Sequence, residues 1–124
     1  MTQSLERRQH KMITNNGLNI ARTALSDEVD TGIAGTGTAT PIATDTALES
    51  PVSATEDTAS ITLGTRAFQV SHTILSTTAT GNSFTEWGIL DASDTLISRA
   101  VTAGVSHTEN DEITKITTIS LVRQ

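Results

Sequence analysis

Hydrophobic and polar positions alternate along most of the chain with the period of two that marks half-buried strands. The clearest case is Ser83 to Ala100, where two apolar, β-branched runs flank Asp91-Ala92-Ser93-Asp94. Asp and Ser side chains cap tight turns by bonding their own backbone, so this stretch predicts a β-hairpin around which the chain is organised. Alternation puts Trp87 and Ile89 on one face of its first strand and Phe84, Glu86, Gly88 and Leu90 on the other. The Trp87 face is expected to point inward, because an indole is the largest apolar group available. From Ser60 to Thr78 the pattern alternates again, with Phe68, Val70 and Ile74 in phase and Gly64 as a break, which predicts two strands or one long bent strand. Glu112 to Arg123 reads as a final strand whose apolar positions change phase between Ile116 and Ile119, a change that a β-bulge would explain.

Only one stretch has the helical period. Thr14 is a suitable N-cap, and Leu18, Ala21 and Leu25 follow at helical spacing beside a stripe of Ile13, Gly17, Ile20 and Ala24. Two Asn and a Gly are weak helix formers, so packing against a sheet has to hold this helix. Ser26 to Asp30 reads as an acidic turn. Thr31 begins a short strand that dissolves into a Gly/Thr loop, and Ala43 to Glu49, between Pro41 and Pro51, suggests one helical turn with Thr44 or Asp45 as cap and Ala47 and Leu48 inward. Thr77 to Ser83 reads as a turn and Val101 to Asp111 as a loop. Five or six strands after one short N-terminal helix point to a mainly β fold, an antiparallel β-sandwich-like domain.

Composition sharpens this reading. Thr occurs 24 times, and its branched side chain suits pleated sheet. Phe68, Phe84 and Trp87 are the only aromatic residues, so Ile, Leu, Val and Ala must supply the rest of the core and partners are expected to add stability. Length allows one domain, residues 13–124, preceded by an arm, residues 1–12. The arm is basic on an acidic body. Residues 1–25 hold Arg7, Arg8, Lys11 and Arg22 against Glu6, a balance of +3, which leaves −9 for the remainder out of a net charge of −6. Three clustered cations are few for nucleic acid, whose binding grows with the number of phosphates neutralised, so no nucleic-acid partner is expected. Leu5 and Met12 give the arm apolar anchors, and Leu5, Arg7, Arg8, Lys11 and Met12 are expected to dock on a neighbouring subunit. No apolar run approaches the roughly 20 residues that cross a bilayer and no apolar signal core is present, so the expectation is a soluble chain without membrane contact or export signal.

Candidate chemistry is sparse. No cysteine is present, which removes disulfides, thiolate nucleophiles and sulfur-ligated metals. His10, His72 and His107 are too far apart in sequence for a local metal pair, and no metal or cofactor is expected. His72 shares the phase of the core residues and reads as a hydrogen-bonded structural histidine. His107 stands near Ser106, Glu109, Asp111 and Glu112, a grouping that a small hydrolase or a glycan-binding module would use. Glu86, beside Trp87, is the carboxylate expected to be buried and to accept hydrogen bonds from backbone or Arg at a sheet edge. Gly35-Thr36-Gly37 fails the dinucleotide fingerprint, since Thr40 and Pro41 stand where a glycine and a helix are needed, and it lacks a P-loop lysine; a tight loop with positive φ at Gly is the structural reading. Neither a Gly-x-Ser-x-Gly elbow nor an Asn-x-Ser/Thr sequon occurs.

The order of these signals also resembles a viral pattern. Ile13-Thr14-Asn15-Asn16-Gly17-Leu18 opens a helix, a Gly-Thr-Gly loop precedes Thr44-Asp45-Thr46-Ala47-Leu48-Glu49, and Phe84-Thr85-Glu86-Trp87-Gly88-Ile89-Leu90-Asp91 leads into Leu96 to Ala100. Over roughly residues 12 to 122 this is similar to the N-terminal domain of the phage tail-collar fibre family and related small structural proteins of tailed viruses. The resemblance implies a non-enzymatic virion protein, located in the virion, a homo-oligomer that contacts other virion proteins at the tail, baseplate or fibre attachment point. The chain stops soon after its last strand, so an adaptor or coat element without a shaft or receptor-binding tip is expected. A capsid decoration protein is the alternative. Residues Trp87, Ile89, Phe68, Phe84 and Leu18 are the expected core.

Overall fold

The structure, a computed structural model, describes residues 11 to 123. Leu5, Arg7 and Arg8 of the arm therefore lie outside the described residues. Helix α1 (Asn15–Glu28) comes first, followed by strands β1 (Thr31–Gly35), β2 (Pro51–Thr58), β3 (Ser60–Gly64), β4 (Ala67–Ile74), β5 (Ser83–Leu90), β6 (Leu96–Ser106) and β7 (Ile113–Ser120). They form two antiparallel sheets, one ordered β2-β1-β5-β6 and the other β3-β4-β7. The described residues are mainly β, sandwich-like, with one short helix among them.

Local chemistry accounts for the junctions. Thr14 caps α1, its hydroxyl accepting from the Gly17 amide at 3.1 Å. The β5–β6 hairpin turns at Asp91, whose Oδ1 accepts from the Ser93 and Thr95 amides at 2.8 Å each, while Asp94 takes φ 62°. The helix is tied to the β3–β4 turn. Arg22 Nη1 donates to the Gly64 carbonyl at 2.6 Å, and the Arg66 amide, in a left-handed residue, donates to Asn19 Oδ1 at 2.8 Å.

The space between the sheets holds the expected core. Phe68 and Val70 of β4 pack on Ile89 of β5, while Ile74 meets Ala34, Phe84 and Trp87. Leu18 is buried on the helix. Trp87 is the centre of the second group, its ring 6.0 Å from Phe84 and its Nε1 donating to Thr102 Oγ1 at 2.9 Å. A buried polar contact lies beside it. His72 points from β4 against Gly32 of β1, and its Nε2 donates to the Thr55 carbonyl of β2 at 2.7 Å, so one imidazole ties three strands together. A Cβ on Gly32 would stand 2.4 Å from His72 Cγ, which makes glycine obligatory there.

Several expectations are corrected. Among the described residues there are seven strands. The unforeseen one is β2, an edge strand on which Thr55 alone is buried, so it carries no apolar alternation to read. Residues Val101 to Ser106 belong to β6 and pair with the start of β5, because backbone pairing sustains a strand whose small side chains face solvent. Strand β7 has an unbroken register against β4 and no bulge; Ile116 simply points outward, 56% exposed. Phe84 sits with Trp87, across a register shift between Phe84 and Glu86 at which four residues of β6 span two of β5. Such an irregularity re-aims side chains that strict alternation would put on opposite faces. Helix α1 continues to Glu28 and turns Leu18, Arg22, Leu25 and Ser26 inward, leaving Ala21, Ile20 and Ala24 exposed. Residues 43–49 form turns and no helix, with Leu48 buried and Ala47 exposed.

Truncating Trp87 removes the largest side chain of this core together with its hydrogen bond. Trp87→Ala is expected to cost about 3 to 5 kcal/mol, a large part of a small domain's stability, read as a lowered denaturant midpoint. A midpoint within error of wild type would show that the hairpin is not the organising element.

Candidate functional site

The most constrained part of the surface is the segment between β1 and β2, residues 36–50, which has no regular secondary structure. It is held from below by Glu86. This residue lies on β5, an interior strand flanked by β1 and β6 and not at a sheet edge, and its side chain is fully buried. Oε2 accepts from the Gly37 amide at 2.9 Å and the Ser50 amide at 2.7 Å; Oε1 accepts from the Glu49 amide at 2.9 Å and from Arg99 Nε at 3.0 Å. Both ends of the segment therefore converge on one carboxylate.

Arg99 extends the network. It reaches Glu86 from the neighbouring strand β6 and spans outward to Asp45, with Nη1 3.1 Å from Asp45 Oδ2, which also accepts from the Ile42 amide at 3.0 Å. A second carboxylate works locally, Glu49 Oε1 accepting from the Thr38 and Ala39 amides at 2.9 and 3.3 Å. Thr85 Oγ1 donates to the Gly37 carbonyl at 2.7 Å. The glycines of the Gly-Thr-Gly stretch are explained by this carboxylate and not by backbone handedness. Neither has positive φ, and a Cβ on Gly35 or Gly37 would come 2.6 Å from Glu86 Oε2. Leu48 drops into an apolar site formed by Ile33, Leu90 and Leu96, which fixes the middle of the segment. What remains on the outside is a shaped tip of Pro41 and Ile42, the latter 62% exposed, beside a groove of about 170 Å³ shared with Leu96 to Arg99.

Electrostatics matches the geometry. Burial alone would raise the Glu86 pKa, but the amides of Ser50, Glu49 and Gly37 and the Arg99 guanidinium outweigh it and hold the carboxyl below its ordinary value of 4.5. Arg99 is pushed further up by its bond to Glu86, with Asp45 adding to this against the opposing effect of burial. The group is thus a permanent ion network with every Glu86 oxygen engaged, which suits holding backbone and leaves no lone carboxyl poised for proton transfer.

The other candidates are used structurally. His72 is the bonded core histidine that its phase suggests, and burial pushes its pKa down, opposed by the Thr55 carbonyl and Asp57. His107 is not in an open acidic loop. Its ring is buried against Phe84, with centroids 5.8 Å apart, and Nε2 donates to the Leu75 carbonyl at 2.9 Å. No group of three metal-ligating side chains occurs among the described residues, and no helix among them is long and apolar enough to cross a membrane. Lys11 and Met12, the described part of the arm, are exposed and line a groove with Ile13, Leu18, Val122 and Arg123. Sequence reasoning located Glu86 and its type of partner but missed Arg99 and Asp45. The signals were present, since Arg99 is the only cation between Arg66 and Lys115 and Asp45 sits in the Thr44–Glu49 phrase.

The pH dependence follows from the signs of these shifts. An unfolded chain takes up protons at His72 from about pH 6.5 downward and at Glu86 from about pH 4.5 downward, whereas the folded chain resists both. The contribution of these two groups to stability is therefore complete above the unfolded values and is lost in two limbs as pH falls from each unfolded value through the lower folded one. Glu86→Gln is expected to cost roughly 3 to 5 kcal/mol at neutral pH, as for a broken buried ion pair, and to flatten the lower limb while keeping the upper one in urea titrations. A lower limb of wild-type depth in Glu86→Gln would refute this assignment.

Comparison with protein-family models, with curated proteins and with solved structures finds no match to this chain.

Proposed function

We propose that this chain is a non-enzymatic structural protein of a tailed-virus particle, acting through subunit interfaces at the tail, baseplate or fibre attachment point. The observation that carries the reading is the pinned segment 36–50. Surface segments of this length without secondary structure are usually either functional or disordered. The hydrogen bonds to Glu86, Glu49 and Asp45 and the burial of Leu48 leave the first option. A rigid, exposed Pro41–Ile42 tip loses little conformational freedom on docking, which is what a binding surface gains from preorganisation.

Open sheet edges support the same reading. Among the described residues strands β2, β6, β3 and β7 each have one side without a strand partner, and neighbours in an assembly complete such edges by strand addition. The motif order described above supplies the viral context. Buried titratable groups committed to hydrogen bonds fit a protein whose work is to hold shape.

Locating the chain by immunoblot in purified particles, after heads and tails are separated, tests the placement. It is expected with tails; recovery with heads favours the capsid decoration alternative, and absence from both rejects a virion role. Ile42→Asp, which changes only the exposed tip, is expected to reduce incorporation into particles at least about tenfold, in line with an interface anchor, while leaving the melting curve unchanged. Removal of residues 2–11 is likewise expected to leave stability of the isolated chain nearly unchanged and to reduce assembly. The residues of the arm lose on the order of 1 kcal/mol each on ordering, which its few apolar side chains offset only against the larger surface of a neighbour. A truncated chain that unfolds by itself would sink the arm assignment.

A further inference from the structure

The two ends of strand β7 differ in chemistry. Beyond its last residue, Leu121 to Arg123 run beside the start of α1, where Arg123 Nη1 donates to the Ile13 carbonyl at 3.2 Å and to Asn15 Oδ1 at 3.0 Å. This junction forms a groove of about 340 Å³ lined by the apolar Met12, Ile13, Leu18 and Val122 together with the cations Lys11 and Arg123. A second groove, of about 450 Å³, shares Val122 and Arg123 with it and adds Arg66. Among the described residues neither is lined by an acidic one. Met12 and Val122 are 79% and 73% exposed, unusual for large apolar side chains gathered in one place. The first turn of α1 contains no acid, so the helix N-terminus adds positive partial charge to this end.

The opposite end of β7 is acidic. The β6–β7 connection exposes Glu109, Asp111 and Glu112, and it is held in shape. The Asp111 amide donates to the Thr108 carbonyl at 3.3 Å, the Thr108 hydroxyl to Asp111 Oδ2 at 3.1 Å, and the buried His107 anchors the connection through Leu75 and Asn82. Leu75, half exposed, adds an apolar element beside it. Lys115, the nearest cation along the chain, is half-buried with its Nζ on the Ile116 carbonyl. Eight residues of strand separate the two ends by roughly 25 Å.

We propose that copies of this chain associate head to tail, the acidic turn Glu109–Glu112 of one copy seated in the cationic apolar groove of the next. The occupant is a second copy because each molecule carries both halves of the contact, a cationic apolar groove and an ordered acidic turn, facing opposite ways along the same strand. A symmetric contact of either end with itself would oppose like charges, which disfavours it against the head-to-tail pairing. Being heterologous, the contact repeats, closing into a ring or extending as a stack. This inference supplies the partner for the interface role proposed above, and it is tested on the isolated chain, so it can fail while incorporation into particles survives, and the reverse.

The native chain is free of cysteine, which makes site-directed cross-linking unambiguous. Asn110→Cys and Val122→Cys are made in separate full-length chains and oxidised alone and mixed. A disulfide-linked heterodimer in the mixture, well above the homodimer formed by either variant alone, is expected. Homodimers of Val122→Cys or of Asn110→Cys at equal yield, or no cross-link, would overturn the proposal. Sedimentation provides a second reading. Self-association is expected to weaken at least about tenfold between 0.02 M and 0.5 M salt, as exposed charge pairs are screened. Lys11→Glu with Arg123→Glu is expected to weaken it at least about tenfold, and adding Glu109→Lys with Glu112→Lys in the same chain to restore it to within about threefold. A monomeric wild type at low salt, or no rescue by the fourfold variant when all variants melt alike, refutes the contact.

Discussion

The Glu86 carboxylate, placed without solvent contact on an interior strand, is the constraint on which the rest of this surface depends. A buried charge is tolerated only when its lone pairs are filled, and here three backbone amides and one guanidinium fill them. The requirement propagates outward. Gly35 and Gly37 must be glycine so that the backbone can approach the carboxylate, Arg99 must lie on β6 to share its charge, and Asp45 must cap the outer end of Arg99. An irregular segment thereby acquires a single conformation without a helix or strand of its own.

A second polar contact performs the same service between the sheets. His72 reaches across from β4 to the Thr55 carbonyl on β2 and lies flush against Gly32 on β1. With only three aromatic residues, the apolar core is modest, and bonded polar groups at Glu86, His72 and His107 specify how the layers align. Both sites use the side chains that would otherwise be the natural suspects for catalysis. The surface left over carries an exposed tip at Pro41 and Ile42, open sheet edges among the described residues, and a basic and an acidic end of β7.

Much of this could be read from the chain. The period of two located β4, β5 and the start of β6, Thr14 capped the helix as its side chain and position suggested, and the Asp-Ala-Ser-Asp turn closed the central hairpin. Trp87, Ile89, Phe68 and Leu18 are buried, as large apolar side chains at inward positions should be. Glu86 was recognisable as a buried acceptor because it stands next to Trp87 in an apolar strand. Such features are local: a residue's type and its nearest neighbours along the strand decide them.

Features set by residues distant in sequence were not legible. β2 became a strand because β1 offered it a ladder, although its own side chains are mostly acidic, small and exposed. Val101 to Ser106 were recruited in the same way by the first residues of β5. Phe84 changed sides at a register shift that only the pairing of β5 with β6 creates. The Gly-Thr-Gly stretch owes its glycines to a carboxylate about 50 residues away, and His107 was drawn out of an acidic loop by a carbonyl and a phenyl ring from two other segments. The sequence by itself determined the strands with clear alternation, β4, β5 and the start of β6, and the inward turn of Trp87, Ile89, Phe68 and Leu18, since period and propensity act along the chain. Tertiary structure alone decided edge strands, strand register and the use of each charged group, since the energy of a hydrogen bond or a buried charge depends on a partner that the local sequence does not contain.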